Sequence, residues 1–340
     1  MKYIMIWPYG WFDSYMYRDL VANNMVIPLC IDKPSKSRIM NLLRRIHHSY
    51  KVNRIINLPY KDIWYKSLYK ALSKLVDKET CILFDTGALA NLSVDYLIKI
   101  KNIEKDAKMV LVAADSIHGS SVHMSRAIPK IFNYDWDFIF SYDKNDCKEY
   151  NFEYMGQTLY SKLDDVIPSR QVSDIYFVGK NKAGRNKDIL KIYEKFQQAG
   201  VVTNFNLIDS KTNIHHSQFN NSPGIHLYCQ NIPYETVISD VLSSNCILEV
   251  VASGQKAQTA RYYEAVCYNK KLLTNNIGIF ELPFYDSRYM KYFETVSDID
   301  FDWVRRKEKI DYHYNNEFSP VYLLDKIANK IKDDEKNYVD

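Results

Sequence analysis

The 340 residues contain no cysteine framework: Cys30, Cys81, Cys147, Cys229, Cys246 and Cys267 are scattered, with no C-x-x-C pair. Several sit in apolar runs such as VIPLCID and NCILEV. That usage predicts buried free thiols in a reducing compartment rather than disulfides or metal ligands. No run approaches the roughly 20 apolar residues of a membrane span. No secretory signal is evident either, since the chain opens straight into the strand-like KYIMIW, and a cytoplasmic protein is expected. The orders G-x-x-x-x-G-K, G-x-G-x-x-G and G-x-S-x-G are all missing. Their absence excludes a Walker phosphate loop, the common dinucleotide fingerprint and a serine nucleophile elbow. His215 and His216 lie in a polar loop with no partner at metal spacing, and the acids of DIDFD, 298–302, precede WVRRK as helix caps would. No internal repeat or low-complexity segment occurs.

What is present is an ordinary globular composition, 46% apolar and 25% charged, long enough for two domains of about 150 to 170 residues each. Net charge is only +4, but it is lopsided. From Lys33 to Lys78 twelve Lys and Arg face two acids, Asp62 and Asp77, an excess of 12 − 2 = +10. Trp and Tyr are interleaved with these cations. Such a stretch suits an anionic membrane surface, and equally a solvated helix face with its apolar side turned inward. It would also suit nucleic acid, but no RNA- or DNA-binding signature accompanies it, so no nucleic-acid partner is expected.

The first half alternates strands (KYIMIW, VIPLCI, CILFDT, MVLVAA, DFIFSY) with helical patterns over Ile63–Val76, Val94–Ile100 and Lys144–Tyr150. After a linker at 161–173 the alternation restarts. DIYFVG, VVTNFNLI, GIHLYC, CILEVV and KLLTN read as strands. KDILKIYEKFQQAG, PYETVISDVLSSN and TARYYEAVCYN read as helices, and SPVYLLDKIANKIKDD as a final one. The pattern predicts an α/β protein with two largely parallel sheets. The expected domains are 1–165 and 174–318, both Rossmann-like and facing each other across a cleft. Residues 319–340 form a helix and tail that packs back on the first.

Chemistry-bearing residues cluster at strand ends. In GQKAQTARYYEAVCYNKKLLTNN, 254–276, a polar turn separates a buried strand from a helix beginning near Thr259. The free amides of a helix start favour an anion. Gln255 and Gln258 offer amide donors, and Thr259 can cap. Arg261 lies in the first helical turn, where the helix dipole disfavours a cation unless an anion is bound. Glu264 shares its face and can accept from ribose hydroxyls. The plainer alternative is a capped helix with a surface Arg–Glu pair. In FVGKNKAGRNKD, 177–188, Gly179 ends a strand and Lys180, Lys182, Arg185 and Lys187 follow, as a phosphate contact or a basic surface turn. In the first half Asp13, Asp85 and Asp115 stand at or beyond strand ends, with His118 and His123 near the last. Each is a candidate general base or, alternatively, a cap.

Across roughly 174–290, on those two stretches and PYETVISDVLSSNCILEVVAS, the chain resembles bacterial glycosyltransferases of the GT-B fold that serve capsule, O-antigen or exopolysaccharide assembly. PYGWFDSYMYRD and IFSYDKNDCKEY extend the likeness into the first half. The resemblance implies a sugar transfer from a nucleotide-sugar donor to a glycan acceptor, lipid-linked by expectation. It implies no cofactor and no metal, and a cytoplasmic enzyme peripheral at the inner face of the membrane through residues 33–78. By it Gly179, Lys180 and Arg185 face the diphosphate. Tyr234 borders the base, Gln258, Thr259 and Arg261 approach phosphates and sugar, Glu264 meets the ribose, and Lys271 assists from the next strand. Asp115 or Asp13 would deprotonate the acceptor if the reaction inverts. The E-x7-E spacing of many retaining members is absent, since Lys256 stands eight residues before Glu264; neither stereochemical course is assigned. Other readings of the same pattern are a sugar-nucleotide epimerase, a polyol-phosphate transferase, or a non-catalytic α/β partner of polysaccharide enzymes.

Overall fold

Strands apolar on both faces need cover on both sides, and parallel neighbours need a crossover between them. The chain meets both demands twice. The computed structural model describes residues 1–8, 16–31, 35–56, 58–59, 61–118, 122–180, 185–208, 222–251 and 258–337. It divides into two units, Met1–Ser161 with Phe318–Asp340, and Lys162–Glu317.

The first unit runs β1 (Lys2–Trp7), α1 (Arg18–Ala22), β2 (Ile27–Cys30), α2 (Arg38–His47), α3 (Tyr50–Ile55), a 3-10 turn (Lys61–Tyr65), α4 (Lys66–Leu75), β3 (Thr80–Asp85), α5 (Thr86–Leu89) and α6 (Val94–Lys101). It continues with β4 (Lys108–Ala113), α7 (Val122–Asn133), β5 (Phe138–Ser141), α8 (Lys144–Tyr150) and β6 (Glu153–Tyr154). The six strands pair in the order β2-β1-β3-β4-β5-β6, all parallel. Side chains alternate between faces. Ile4, Ile6, Ile82, Phe84, Met109 and Leu111 point to one core, with Leu68, Leu72, Tyr96 and Leu97 from the helices. Met5, Leu83, Val110 and Val112 point to the other. That second face is covered by Leu323, Leu324, Ile327 and Ile331 of the C-terminal helix, Val321–Asn337.

The second unit runs β7 (Ser173–Lys180), α9 (Arg185–Gln198), β8 (Thr203–Ile208), β9 (Ile225–Tyr228), α10 (Tyr234–Leu242), β10 (Ser244–Glu249), α11 (Ala260–Cys267), β11 (Lys271–Thr274), β12 (Met290–Tyr292) and α12 (Phe301–Arg305). Its order is β12-β11-β10-β7-β8-β9, again all parallel. Gly200 closes α9 at φ +68°, where the amide of Val201 reaches the carbonyl of Phe196 at 2.9 Å. Phe177, Phe196, Phe205 and Trp303 share its main core.

The strands and long helices expected from periodicity are present. Helices α1, α2, α3, α5, α7 and α12 and strands β6 and β12 were not foreseen. Most are short, and α2 turns no residue into a core, so neither length nor burial marks them out. All six cysteines are free, but only Cys81, Cys246 and Cys267 are buried; Cys147 is half-buried, and Cys229 and Cys30 are exposed, Cys30 accepting from the Trp7 indole at 2.9 Å. The DIDFD acids do cap: Asp300 accepts from the amide of Trp303 at 2.9 Å, and Asp298 closes a capping box with Thr295.

Ile327 is fully buried on the C-terminal helix. Ile327→Ala should destabilise the first unit by about 2–5 kcal/mol, read by urea unfolding; a change within about 0.5 kcal/mol, typical of a surface site, would mean that this helix does not complete the core.

Candidate active site

In each sheet the strand order reverses once, between β1 and β3 and between β7 and β10. Ligands of open parallel sheets bind beyond the carboxyl ends of strands at such a reversal. In the second unit the strands flanking the reversal end at Gly179–Lys180 and at Glu249. The strands that lead into the two stretches singled out from sequence therefore end at one edge of one sheet.

The β10–α11 junction is tied down by a residue the sequence reading passed over. Glu249, 2% exposed, reads in CILEV as an interior strand position. Its carboxylate accepts from Thr259 Oγ1 and from Thr274 Oγ1, both at 2.5 Å, and so fixes the start of α11 to the end of β11. Thr259 is the N-cap of α11, accepting from the amide of Arg261 at 3.2 Å. Gln258 donates to the Tyr263 hydroxyl at 3.2 Å. One clue was available: a lone acid ending an apolar strand beside a helix start.

Arg261 lies in the first turn of α11 and pairs through Nη2 with Glu264 Oε1 at 2.5 Å. Glu264 is fully buried, and the same Oε1 accepts from the Tyr234 hydroxyl at 3.0 Å. Its other oxygen, Oε2, is buried with no hydrogen-bond partner among the described residues. Burial raises the Glu264 carboxyl to about 7, against the opposing pull of Arg261 and Tyr234. Burial also raises Glu249, which its two threonines partly offset.

Two expected contacts differ. Tyr234 is 2% exposed and spends its hydroxyl on Glu264, so it supports that carboxylate from below instead of lining an open base pocket. Lys271 stands at the amino end of β11, the wrong edge for the site. Its ammonium donates to the carbonyl of Trp303 at 2.5 Å and to that of Arg306. Lys271 is thus a core lysine and leaves the donor set; strand alternation gives the face of a residue but not the edge it serves. Lys180 is exposed at the end of β7, next to Gly179. Gln255 and the side chain of Arg185 lie outside the described residues, although the backbone of Arg185 begins α9.

In the first unit Asp85 ends β3 beside the reversal point. It is 4% exposed, accepts from the Gly87 amide at 2.7 Å as the cap of α5, and accepts from the Tyr17 hydroxyl at 3.0 Å. Burial, with Asp115 adding to it, raises its pKa to about 6. Each of its two oxygens accepts one hydrogen bond. Asp115, beyond β4, is half-buried and the more accessible carboxylate. His118 is exposed and paired with Glu149 at 2.9 Å, which raises its pKa, and His123 is exposed on α7. Asp13 lies outside the described residues. Among the described residues no group of three or more His, Cys, Asp or Glu side chains is placed to hold a metal ion.

No family model matches the sequence, and no curated protein matches it significantly. Solved structures do match the fold. An alpha-glucosyltransferase in complex with UDP-glucose and DNA containing an abasic site superposes with a TM-score of 0.53 at 14% identity, over 97% of this chain and 99% of that one. The same values hold for alpha-glucosyltransferase (AGT) in complex with UDP. OtsA, in an apo structure, matches with a TM-score of 0.50 at 10% identity, over 90% of each chain. The fold is that of the GT-B glycosyltransferases.

The raised pKa of Glu264 has a consequence for stability. Between about 4.5, its ordinary value, and about 7 the folded protein keeps a proton that the unfolded chain has released. Its contribution is therefore fully present below about 4.5 and is lost as pH rises through about 7. Glu264→Gln should flatten this fall in urea unfolding measured across the range. An identical pH slope in variant and parent would show that the carboxyl does not titrate there.

Proposed function

We propose that the chain is a glycosyltransferase that takes its sugar from a nucleoside diphosphate sugar held by the second unit and delivers it to a glycan acceptor held by the first. The observation that carries the reading is the buried Glu264 Oε2, which lacks a donor among the described residues, beside an arginine at a helix start on the strand-reversal edge. A buried acceptor left unmet is expensive, by about 1–3 kcal/mol. A ribose hydroxyl admitted as the partly exposed Arg261 side chain moves aside would meet it. In this reading Arg261, Lys180, Arg185 and the amides opening α11 stabilise the leaving diphosphate as its charge develops. Gly179 lets the backbone approach, and Gln255, Gln258 and Thr259 border the phosphates and sugar. These cations and amides take the place that a divalent metal would otherwise fill. Asp115 or Asp13 accepts the proton of the attacking hydroxyl if the reaction inverts. The likeness of fold to proteins solved with UDP-glucose and UDP is in keeping with such a donor.

The acceptor in this proposal is lipid-linked, as in surface-polysaccharide assembly, and the enzyme works on an anionic membrane surface. Helix α2 supports this. Ile39, Leu42, Leu43 and Ile46, at helical spacing, are between 44% and 70% exposed, and no residue of the helix is buried. Ile55 and Ile56 are exposed as well, and Arg38, Arg44 and Arg45 lie on the same helix, with Lys51 on the next. An amphipathic helix with an open apolar face and a basic rim fits an anionic bilayer interface. Its C-terminal end is held by Trp64, whose indole donates to His47 at 2.8 Å. Among the described residues no helix is long and apolar enough to cross a membrane.

A thermal-shift panel of UDP-, GDP-, CDP- and dTDP-sugars tests the donor site. One nucleotide should raise the melting temperature, since a ligand at 100 times its Kd stabilises by about 2.7 kcal/mol. Arg261→Ala should abolish the shift; no shift with any nucleotide in folded protein would sink the reading. Flotation with phosphatidylglycerol vesicles tests the surface. Leu43→Ser, and separately reversal of Arg44, Arg45 and Lys51 to Glu, should each leave the protein at the bottom of the gradient. Flotation equal to the parent in both would remove the membrane from the proposal.

A further inference from the structure

The first unit contains a cavity of about 400 Å³ that the donor chemistry does not use. Its walls come from four places in the sequence: His48 and Arg54 at and after the turn into α3, Lys61 of the 3-10 turn, the residues that follow α5, and Arg126 and Lys130 one helical turn apart on α7. None of the ten described lining residues is acidic. The carboxylate adjoining it, Asp62, accepts from the Ser93 hydroxyl at 2.6 Å.

The cations are held by main-chain groups as well as by one another's neighbourhood. Arg126 Nη2 donates to the carbonyl of His48 at 3.3 Å. Lys130 donates to the carbonyl of Ala90 at 3.3 Å and to that of Arg126. These contacts fix where Arg126 and Lys130 point. Burial, and after it the neighbouring cations, works against the charge on Lys130 and Lys61. Burial, then Lys61 and Arg126, lowers Lys130 to about 8, and burial, then Arg126, lowers Lys61 against the opposing pull of Asp62. Burial, with His47, Lys61, Arg44 and Arg126, lowers His48 to about 4, so it stands neutral as a hydrogen-bonding group at neutral pH. A fold that gathers like charges in a concave, partly desolvated place is set up for an anion, because opposite charge is worth most where water is scarce. Arg with Lys in one cavity suits phosphate oxygens in particular, and the volume is that of a small-ligand site.

We propose that this cavity binds a phosphate or diphosphate group, the anionic end of the acceptor. The proposal rests on the reading that the first unit receives an acceptor. It adds that the acceptor is a phosphate ester and that Arg54, Lys61, Arg126 and Lys130 recognise it. The open apolar face of α2 ends at His48, which lines the cavity, so a phosphate on a membrane-anchored molecule would meet these cations at the foot of the membrane-facing helix.

The test uses the full chain and inorganic pyrophosphate, with binding followed by calorimetry. Because the donor site proposed around Arg261 can also take pyrophosphate, the comparison is made in Arg261→Ala: that variant should still bind pyrophosphate, and adding Arg126→Gln with Lys130→Gln to it should weaken the binding about tenfold or more, the loss of charge-assisted hydrogen bonds. Lys61→Gln alone is a second variant in case the double variant does not fold. UDP binding is measured on the parent and on the cavity variants with Arg261 intact, and should be unaffected in the latter. If UDP fails to bind but the pyrophosphate pattern holds, the donor reading falls and the anion site stands. If pyrophosphate binding is absent, is lost with Arg261→Ala, or is unchanged when the cavity substitutions are added to that variant, the anion site falls. Two competitors then identify the source: a soluble hexose phosphate, and vesicles carrying phosphatidic acid. Displacement of pyrophosphate by either supports the site and names its source. Displacement by a duplex DNA oligonucleotide but by neither of these overturns it in favour of nucleic acid.

Discussion

Parallel strands cannot be joined by tight turns, and this constraint shapes the rest of the molecule. Every connection between neighbours must travel back along the sheet, usually as a helix, so both faces become covered and dry. Polar chemistry is pushed to the edges where strands end. In the second unit that edge is built by one carboxylate. Glu249 holds Thr259 at the start of α11 and Thr274 at the end of β11, so the helix start, and with it Arg261, has a fixed position relative to the sheet. Remove that anchor and the amides of the first turn lose their aim.

The first unit uses the same edge differently. Its reversal point is occupied by Asp85, which spends its carboxylate on the Gly87 amide and on Tyr17. A Cβ at Gly87 would lie 2.9 Å from Pro8 Cγ, so the end of β1 and the start of α5 leave no room for a side chain there. The accessible acid is Asp115, one strand over. The two units differ in strand order and also in how they place charge: a cation paired with a buried carboxylate in one, acids at strand ends and a basic cavity in the other.

How much of this was legible depended on how local each signal is. Strands such as KYIMIW and helices such as Arg185–Gln198 announce themselves through periodicity and a closing glycine, and both were read correctly. The 254–276 stretch was legible as a turn from a buried strand into a helix capped by Thr259, with Arg261 and Glu264 paired on one face. Helix α2 was not placed, because its apolar stripe serves no core and the stretch was read only for its charge. Lys271 was misjudged because the alternation of a strand carries no information about which end of it a ligand visits. The basic cavity was invisible: Arg54, Lys61, Arg126 and Lys130 are brought together only by a fold that folds α3 and α7 toward each other.

The C-terminal helix has a consequence in time. Leu323, Leu324, Ile327 and Ile331 complete a core whose other residues, Met5, Leu83, Val110 and Val112, are made first. Everything in the second unit is synthesised between them. At about 5–20 residues per second on the ribosome, one face of the first sheet waits many seconds for its cover, while the second unit already has a contiguous sequence of its own. The nascent chain therefore carries an open apolar sheet face throughout that interval, a surface that chaperones bind and that a shortened transcript would never close.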